Sequence, residues 1–342
     1  MNETVNKEKI KDEKAPLQTQ DAPKSKHGFF DAIKEKANPV SVLLFALCML
    51  LTGLLGFQTA RVGMISAELE DMSEVHRAIY DMSQEVELAG KKDRIPEYNY
   101  ALGDIAIPAL EGVPKSKYKD ENFKKDENGF LKYYEDGELC SYVGIDVSGH
   151  NGEIDFEKVK AAGVDFVMLR IGGRGYGEDG VLYDDTYFRT NLKAAKQAGL
   201  MVGAYFFSQA ISAEEAREEA LYSVSLLSGA ELDYPLAFDW ELLEVEGART
   251  ENISPQTLTD CARTFCDTVK EAGYIPCLYT GSTLAYYKYD LAQLSDVDIW
   301  YAFYNDSPDM YYNYMMWQYS CTGSVPGIEG DVDLNICFKN YK

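Results

Sequence analysis

The chain has 342 residues, of which 46% are hydrophobic and 26% are charged, so it is long enough for one large domain with accessory segments. Its 56 Asp and Glu residues outnumber its 33 Lys and Arg residues, and the net charge of −23 argues against nucleic acid as a partner. The three histidines are not clustered and no Gly-rich phosphate loop is present. We therefore expect no metal site and no cofactor.

The amino-terminal region divides into a polar tail and an apolar run. Residues 1–38 are rich in Lys, Glu, Asp and Gln and predict a disordered tail. Residues 40–57 contain no charge and span about 27 Å as a helix, close to the thickness of a bilayer core. This pattern predicts a transmembrane helix over residues 39–60. A cleaved signal peptide is the alternative, but the run exceeds the usual ~7–15 apolar residues and no A-x-A-like site follows.

The charges that flank the apolar run predict its orientation. Lysines are concentrated on its amino side and acids on its carboxyl side: Lys24, Lys26, Lys34 and Lys36 precede it, and Glu68, Glu70, Asp71 and Glu74 follow. By the positive-inside rule, the amino terminus is cytoplasmic and everything after residue 60 is extracytoplasmic. The six cysteines outside the run match no metal motif, and we expect mostly buried free thiols.

Two segments separate the apolar run from the main domain. Residues 61–90 carry a repeat at spacings of four and three from Ile65 to Val86, apolar except for two polar breaks at His76 and Ser83, which predicts a helical stalk. It is either a coiled coil that forms a homodimer or membrane complex through residues 64–88, or a monomeric amphipathic helix. In residues 91–141 a linker rich in Lys, Asp, Glu, Asn and Pro precedes two strand-like runs around Glu135, Asp136 and Gly137, which predict a β-hairpin.

From Tyr142 onward, strand and helix patterns alternate. Strands are predicted at residues 142–148, 166–172, 201–207, 235–241 and 275–281, and Gly163, Gly199 and Gly273 close the helices between them. The later strand-like runs, at residues 298–304, 315–320 and 331–338, are separated by about ten residues, too few for a parallel crossover helix. The prediction for residues 142–342 is an α/β fold: an irregular TIM-like barrel of about five βα units followed by three strands with short connections.

Four acids fall at or near predicted strand ends. Asp146 lies on the first strand, Asp239 and Glu241 end the fourth, and Asp333 lies beside the last. Residues two apart on a strand share a face at about 7 Å. In a closed barrel the first and last strands are neighbours and the fourth lies across the mouth, so all four carboxyl groups can converge. Paired carboxylates are the groups that glycoside hydrolysis requires, although a lone D-x-E is more often a solvated strand end.

Seven motifs surround these acids in order: GIDVSGHNG at Gly144, VDFVMLRIG at Val164, GAYFFSQA at Gly203, FDWE at Phe238, IWYAFY at Ile299, WQYS at Trp317 and GDVDLN at Gly330. Together they resemble the glycoside hydrolase family 25 lysozymes, the N-acetylmuramidases of bacterial and phage cell-wall lysis. The resemblance runs from about Tyr142 to Phe338. It implies hydrolysis of the β-1,4 bond between N-acetylmuramic acid and N-acetylglucosamine in peptidoglycan, the expected partner.

The resemblance also implies roles for the acids. Glu241 resembles the family's general acid. Asp239 resembles its partner, which either stabilises the positively charged transition state or orients the acetamido group of the substrate as nucleophile. Asp146 resembles a further acid of the pocket, as does Asp333, with Asp331 as the alternative to Asp333.

Four aromatic residues are candidates for stacking against sugar rings: Tyr205, Tyr279, Trp300 and Trp317. Aromatic residues in strands are more often part of the core, and both interpretations stay open. Phe206 and Phe207 stand where many family members carry a histidine after the tyrosine of the third strand. Ala237 occupies the position at which a chitinase-type signature requires an aspartate, which excludes that family as a close match.

The sequence therefore predicts a single-pass membrane-anchored muramidase whose catalytic domain faces the cell wall. The alternative is a catalytically weak or inactive peptidoglycan-binding protein of a membrane-associated wall or secretion assembly.

Overall fold

The computed structural model of the chain describes residues 94–99, 103–243, 245 and 247–341. The predicted tail at 1–38, transmembrane helix at 39–60 and stalk at 61–90 lie outside these residues. Within them, no helix combines the length and apolar character that a membrane crossing requires.

The described part of the chain forms fourteen strands and five helices. The strands are β1 (Arg94–Asn99), β2 (Gly103–Pro108), β3 (Phe123–Lys125), β4 (Leu131–Glu135), β5 (Glu138–Leu139), β6 (Tyr142–Val147), β7 (Phe166–Arg174), β8 (Leu182–Asp184), β9 (Met201–Ser208), β10 (Leu236–Trp240), β11 (Pro276–Gly281), β12 (Asp298–Ala302), β13 (Met316–Gly323) and β14 (Val332–Cys337). The helices are α1 (Phe156–Ala161), α2 (Phe188–Gln197), α3 (Ala213–Leu227), α4 (Pro255–Glu271) and α5 (Ser282–Tyr287).

Eight of the strands close into a barrel in the order β6, β7, β9, β10, β11, β12, β13, β14, with β14 pairing back to β6. The predicted α/β barrel is confirmed, and a helix follows each of β6, β7, β9, β10 and β11, as expected for five βα units. In each of the three helices that precede β7, β9 and β11, the glycine after the last turn has a positive φ, at Gly163, Gly199 and Gly273. This left-handed conformation ends the helix at little cost only for glycine.

The closing third of the barrel departs from the regular pattern. Residues 303–315 join β12 to β13 without a helix, yet the two strands are parallel. Among the eight barrel strands, only β14 runs antiparallel to its neighbours, β13 and β6. The prediction of three closing strands with short or irregular connections is therefore confirmed, and the irregular connection of residues 303–315 is long enough to join two parallel strands. The short strand β8, antiparallel to the end of β7, was not predicted.

The side of the barrel that lacks helices is covered by the residues before β6. Tyr118 stacks on Phe338 with ring centroids 4.0 Å apart, and its hydroxyl donates to the carbonyl of Tyr314 at 3.0 Å. Phe123 packs edge to face on Trp317 at 5.4 Å. Strands β4 and β5 form the predicted hairpin, with Asp136 and Gly137 in the turn at φ 50° and 88°. The segment predicted as a linker thus contains strands β1 to β3 and packs on the barrel.

Barrel side chains alternate between two environments, as the period of two in a strand requires. The inward cluster consists of Phe166, Met168, Tyr234, Ala237, Cys277, Trp300, Met316 and Cys337. The outward residues of the same strands pack against the helices and the covering segment. This alternation decides which side chains of each strand reach the mouth of the barrel. Cys261, Cys266, Cys277 and Cys337 are buried free thiols.

Candidate active site

The structure brings the four acids together at the end of the barrel where the parallel strands terminate. Asp146 on β6 and Asp333 on β14 are direct cross-strand partners. Asp239 lies near the end of β10, and Glu241 follows the last residue of that strand. Asp146 and Asp239 are 5% and 4% exposed, whereas Asp333 and Glu241 are half-buried. The two outer carboxyl groups are therefore accessible from the mouth, and the two inner ones support them.

Asp146 and Asp333 form the first carboxyl pair. The side-chain amides of Gln318 and Asn335 donate to Asp146 Oδ2 at 2.7 and 2.8 Å. Burial, and then the charge of Asp333, raise the pKa of Asp146 well above its ordinary value. Burial also raises the pKa of Asp333, and a hydrogen bond joins the two carboxyl groups. Two carboxylates this close do not both ionise easily, so the pair shares a proton over a range of pH.

Asp239 and Glu241 form the second pair. Burial raises the pKa of Asp239 most strongly, followed by the charges of Glu241 and Asp146. Burial raises the pKa of Glu241, a hydrogen bond with Asp239 opposes this rise, and the charge of Asp333 adds to it. Asp239 Oδ1 is buried and has no hydrogen-bond partner among the residues that the structure describes. A buried acceptor without a donor costs free energy, and Asp239 Oδ1 can recover this cost by binding a proton or by accepting a hydrogen bond.

Arg170 brings positive charge to the mouth but is already paired. It lowers the pKa of Asp239 through its charge, and its Nε donates to Asp185 Oδ2 at 2.8 Å. The side chain of Asp185 is 1% exposed. Because its carboxylate holds the guanidinium, Arg170 offsets only part of the repulsion among the four acids.

Three of the predicted aromatic residues lie inside the barrel beside the acids. The rings of Tyr205 and Tyr279 contact the ring of Trp300 edge to face, with centroids 6.0 and 4.9 Å apart. Trp300 is only 1% exposed, and its Nε1 donates to Asn335 Oδ1 at 2.8 Å. In this structure the ring of Trp300 therefore has no free face for a sugar, whereas Tyr205 and Tyr279 are partly accessible.

Trp317 is not brought to the acids. Its neighbour Gln318 is the inward residue of β13, so Trp317 points to the outer face, where it is fully buried against Phe123 and Tyr319. Its Nε1 donates to the carbonyl of Phe303 at 2.8 Å. The interpretation of Trp317 as a core residue, which the sequence left open, fits this position.

Sequence reasoning missed three residues at the mouth: Gln318, Asn335 and Tyr304. All three lie within the motifs WQYS, GDVDLN and IWYAFY. Tyr304 is 54% exposed, and its hydroxyl donates to Gln318 Oε1 at 2.9 Å. Asn335 could have been predicted from the sequence, because it lies two residues after Asp333 and strand alternation places both on the same face.

Replacing Asp239 by Asn is expected to stabilise the protein at pH 7. The folded state raises the pKa of Asp239 above its ordinary value of 3.8. The free energy of unfolding therefore falls as the pH rises from 3.8 through the pKa of Asp239 in the folded state. Asn does not ionise, so the stability of Asp239→Asn relative to wild type increases over this pH range and shows no increase below it. Thermal denaturation at pH 7 should show a Tm higher by about 2–6 °C, and at pH 3.5 no gain.

The exposed Asp179→Asn change serves as the control and should show no pH-dependent gain. If the Tm of Asp239→Asn at pH 7 is at or below that of the wild type, the folded protein does not disfavour the ionised form of Asp239, and the prediction is wrong.

Comparison with known proteins identifies the family to which this barrel is similar. Residues 145–328 match the profile described as Glycosyl hydrolases family 25. The "Autolytic lysozyme" of Clostridium acetobutylicum is 31% identical over 194 residues, which are 56% of this chain and 54% of that protein. "Lysozyme M1" of Streptomyces globisporus is 28% identical over 211 residues, which are 56% of this chain and 66% of that protein. The chain thus matches only about half to two thirds of the length of these relatives.

Solved structures resemble the barrel as well. The spore cortex lytic enzyme SleM of Clostridium perfringens superposes with a TM-score of 0.50 at 23% identity, over 59% of this chain and 69% of that one. At this identity the likeness concerns the fold alone.

Proposed function

The chain belongs to the glycosyl hydrolases of family 25, and we propose that it is a peptidoglycan hydrolase that cleaves the β-1,4 bond between N-acetylmuramic acid and N-acetylglucosamine. The observation that carries this proposal is the pairing of Asp239 and Glu241 at the mouth of the barrel, opposite Asp146 and Asp333. The lysozyme names of the relatives support the same substrate.

Glu241 is the proposed general acid. A leaving glycosidic oxygen needs a proton, and a carboxyl group supplies it near neutral pH only if its pKa is raised. Burial and the charge of Asp333 raise the pKa of Glu241, and its half-buried position leaves it within reach of a bound glycan. General acid catalysis then proceeds from the neutral form of this residue.

Asp239 is the proposed partner on the same strand face. Its Oδ1 is buried and has no hydrogen-bond donor among the described residues, which leaves it able to accept a hydrogen bond from a group that enters beside it. An ionised Asp239 stabilises the oxocarbenium-like sugar directly, or its oxygen accepts a hydrogen bond from the acetamido N–H and orients that group as nucleophile. Asp146 and Asp333 contribute negative charge on the opposite side of the mouth.

Hydrolysis of purified peptidoglycan tests the proposal. The full chain should release reducing ends, and mass spectrometry should find fragments that end in N-acetylmuramic acid. Fragments that end in N-acetylglucosamine would assign the other glycosidic bond. Binding to peptidoglycan without release of reducing ends would replace the hydrolase by the alternative, a wall-binding protein of a membrane-associated assembly.

We also propose that residues 39–60 anchor the protein in the cell membrane, with the amino terminus in the cytoplasm and the barrel outside. The support is the uncharged run at residues 40–57 and the lysines that precede it. A tethered hydrolase opens the wall locally, and the stalk at 61–90 offers a surface for a second copy or a membrane partner.

Protease protection tests this topology. Protease added to intact, wall-stripped cells should digest the domain after residue 60 and spare a tag at residue 1. Lysed cells provide the control, in which the tag is also digested. A barrel that survives in intact cells would reverse the orientation and remove peptidoglycan as its substrate.

A further inference from the structure

Two buried amides hold one carboxylate oxygen of the site. Gln318 on β13 and Asn335 on β14 are register partners and are 3% and 0% exposed. Both donate to Asp146 Oδ2, at 2.7 and 2.8 Å. Leaving a buried amide unpaired is costly, so this arrangement is stable only while all three groups are present.

The aromatic residues beside the site fix the orientation of both amides. The indole N–H of Trp300 can only donate, so Asn335 must turn Oδ1 toward it, which directs Nδ2 at Asp146. The hydroxyls of Tyr279 and Tyr304 donate to Gln318 Oε1 at 2.8 and 2.9 Å. Nε2 of Gln318 is therefore left for Asp146.

The other charged or titratable groups around Asp146 come from every neighbouring part of the barrel: Arg170 on β7, Tyr205 on β9, Asp239 on β10, Glu241 after β10, Tyr279 on β11, Tyr304 after β12 and Asp333 on β14. The acids disfavour ionisation of Asp146, and Arg170 is committed to Asp185. The two amide donors act in the opposite direction, because hydrogen bonds to the ionised form favour it.

We propose that Gln318 and Asn335 are positioning residues that hold the Asp146 carboxyl group in one orientation, with Oδ2 as the acceptor of both amides, and that they favour its ionised form against burial and the neighbouring acids. Asp333, half-buried at the mouth, then faces the bound glycan beside a partner whose position is fixed. The inference rests on the proposed function for its role in catalysis, but the effect of the two amides on the titration of Asp146 is a property of the protein alone.

The test is the titration of Asp146 in the full chain, labelled with ¹³C at aspartate carboxyl groups and kept in detergent micelles. The signal lost in Asp146→Asn assigns the residue. In Gln318→Met one donor is removed, and the pKa of Asp146 should rise by about one unit. The acid limb of the kcat profile on peptidoglycan should move to higher pH by the same amount, with KM changed less than threefold or so.

Gln318→Glu keeps the shape of the side chain and replaces the amide by a second acid, so it provides a variant that folds if the methionine does not. It should raise the pKa of Asp146 further. The matched control is Gln209→Met, which removes another buried glutamine that bonds to Ser208 and Thr250 and does not touch Asp146. It should leave the titration of Asp146 unmoved.

An Asp146 titration that is the same in wild type, Gln318→Met and Gln318→Glu would overturn the inference. A titration that shifts as expected in a protein without hydrolytic activity would support the inference and refute the proposed function. The two failures are thus distinguishable.

Discussion

Replacing Glu241 by Gln is expected to lower kcat on peptidoglycan by about 10²–10⁴-fold, the usual contribution of general acid catalysis. The amide keeps the shape of the side chain but has no acidic proton for the leaving oxygen. Burial raises the pKa of Glu241, which keeps wild-type Glu241 in its neutral form to higher pH. Release of reducing ends measures the rate, and thermal denaturation checks the fold.

Binding separates this role from a structural one. Glu241→Gln should still sediment with insoluble peptidoglycan, because the change removes a proton and not the glycan contacts. The control is Glu157→Gln on the exposed face of α1, which should keep full activity. If Glu241→Gln retains more than a tenth of wild-type activity, another residue supplies the proton.

The sequence was sufficient to predict the elements that carry the acids. Strands β6 and β10 are apolar runs with the acids at fixed offsets, and glycines such as Gly199 close the helices before the next strand. These are local signals, since a buried strand and a left-handed helix end each depend on a few adjacent residues. The resemblance to family 25, drawn from the motifs, is confirmed over residues 145–328.

What the sequence missed depends on contacts that are distant in the chain. Strands β1 to β3 lie in a charged segment whose composition is typical of a linker, and the same segment places Tyr118 and Phe123 against Phe338 and Trp317 of the barrel. For a related reason, the sequence could not distinguish aromatic residues that face the barrel interior from those that pack on its outer face. Trp300 and Gln318 face inward while Trp317 faces outward, and that parity follows from the register of β12 with β13, which no local pattern encodes.

The covering segment before β6 is expected to be required for the barrel to fold, although the sequence placed the domain boundary at residue 142. Three of its aromatic residues, Tyr118, Phe123 and Tyr133, pack together with Phe338. Full burial of one aromatic side chain contributes about 1.5–3 kcal/mol, which Tyr133 receives and the half-buried Tyr118 and Phe123 receive in part, so the three supply a substantial share of the stability of about 5–15 kcal/mol of a typical domain. Removing residues 1–141 should therefore abolish cooperative unfolding, whereas removing residues 1–93 should preserve it.

Circular dichroism during heating of the two truncated proteins distinguishes these outcomes. Tyr118→Ala in the longer protein is the intermediate case, and it should lower the free energy of unfolding by about 1–3 kcal/mol through the lost ring, because Tyr118 is only partly buried. Its matched control is Tyr176→Ala, because Tyr176 is 52% exposed and lies outside the covering segment. A protein that begins at residue 142 and melts cooperatively at the temperature of the longer one would show that the barrel closes without this segment, because β12 to β14 would then be stable with their outer aromatic residues exposed to water.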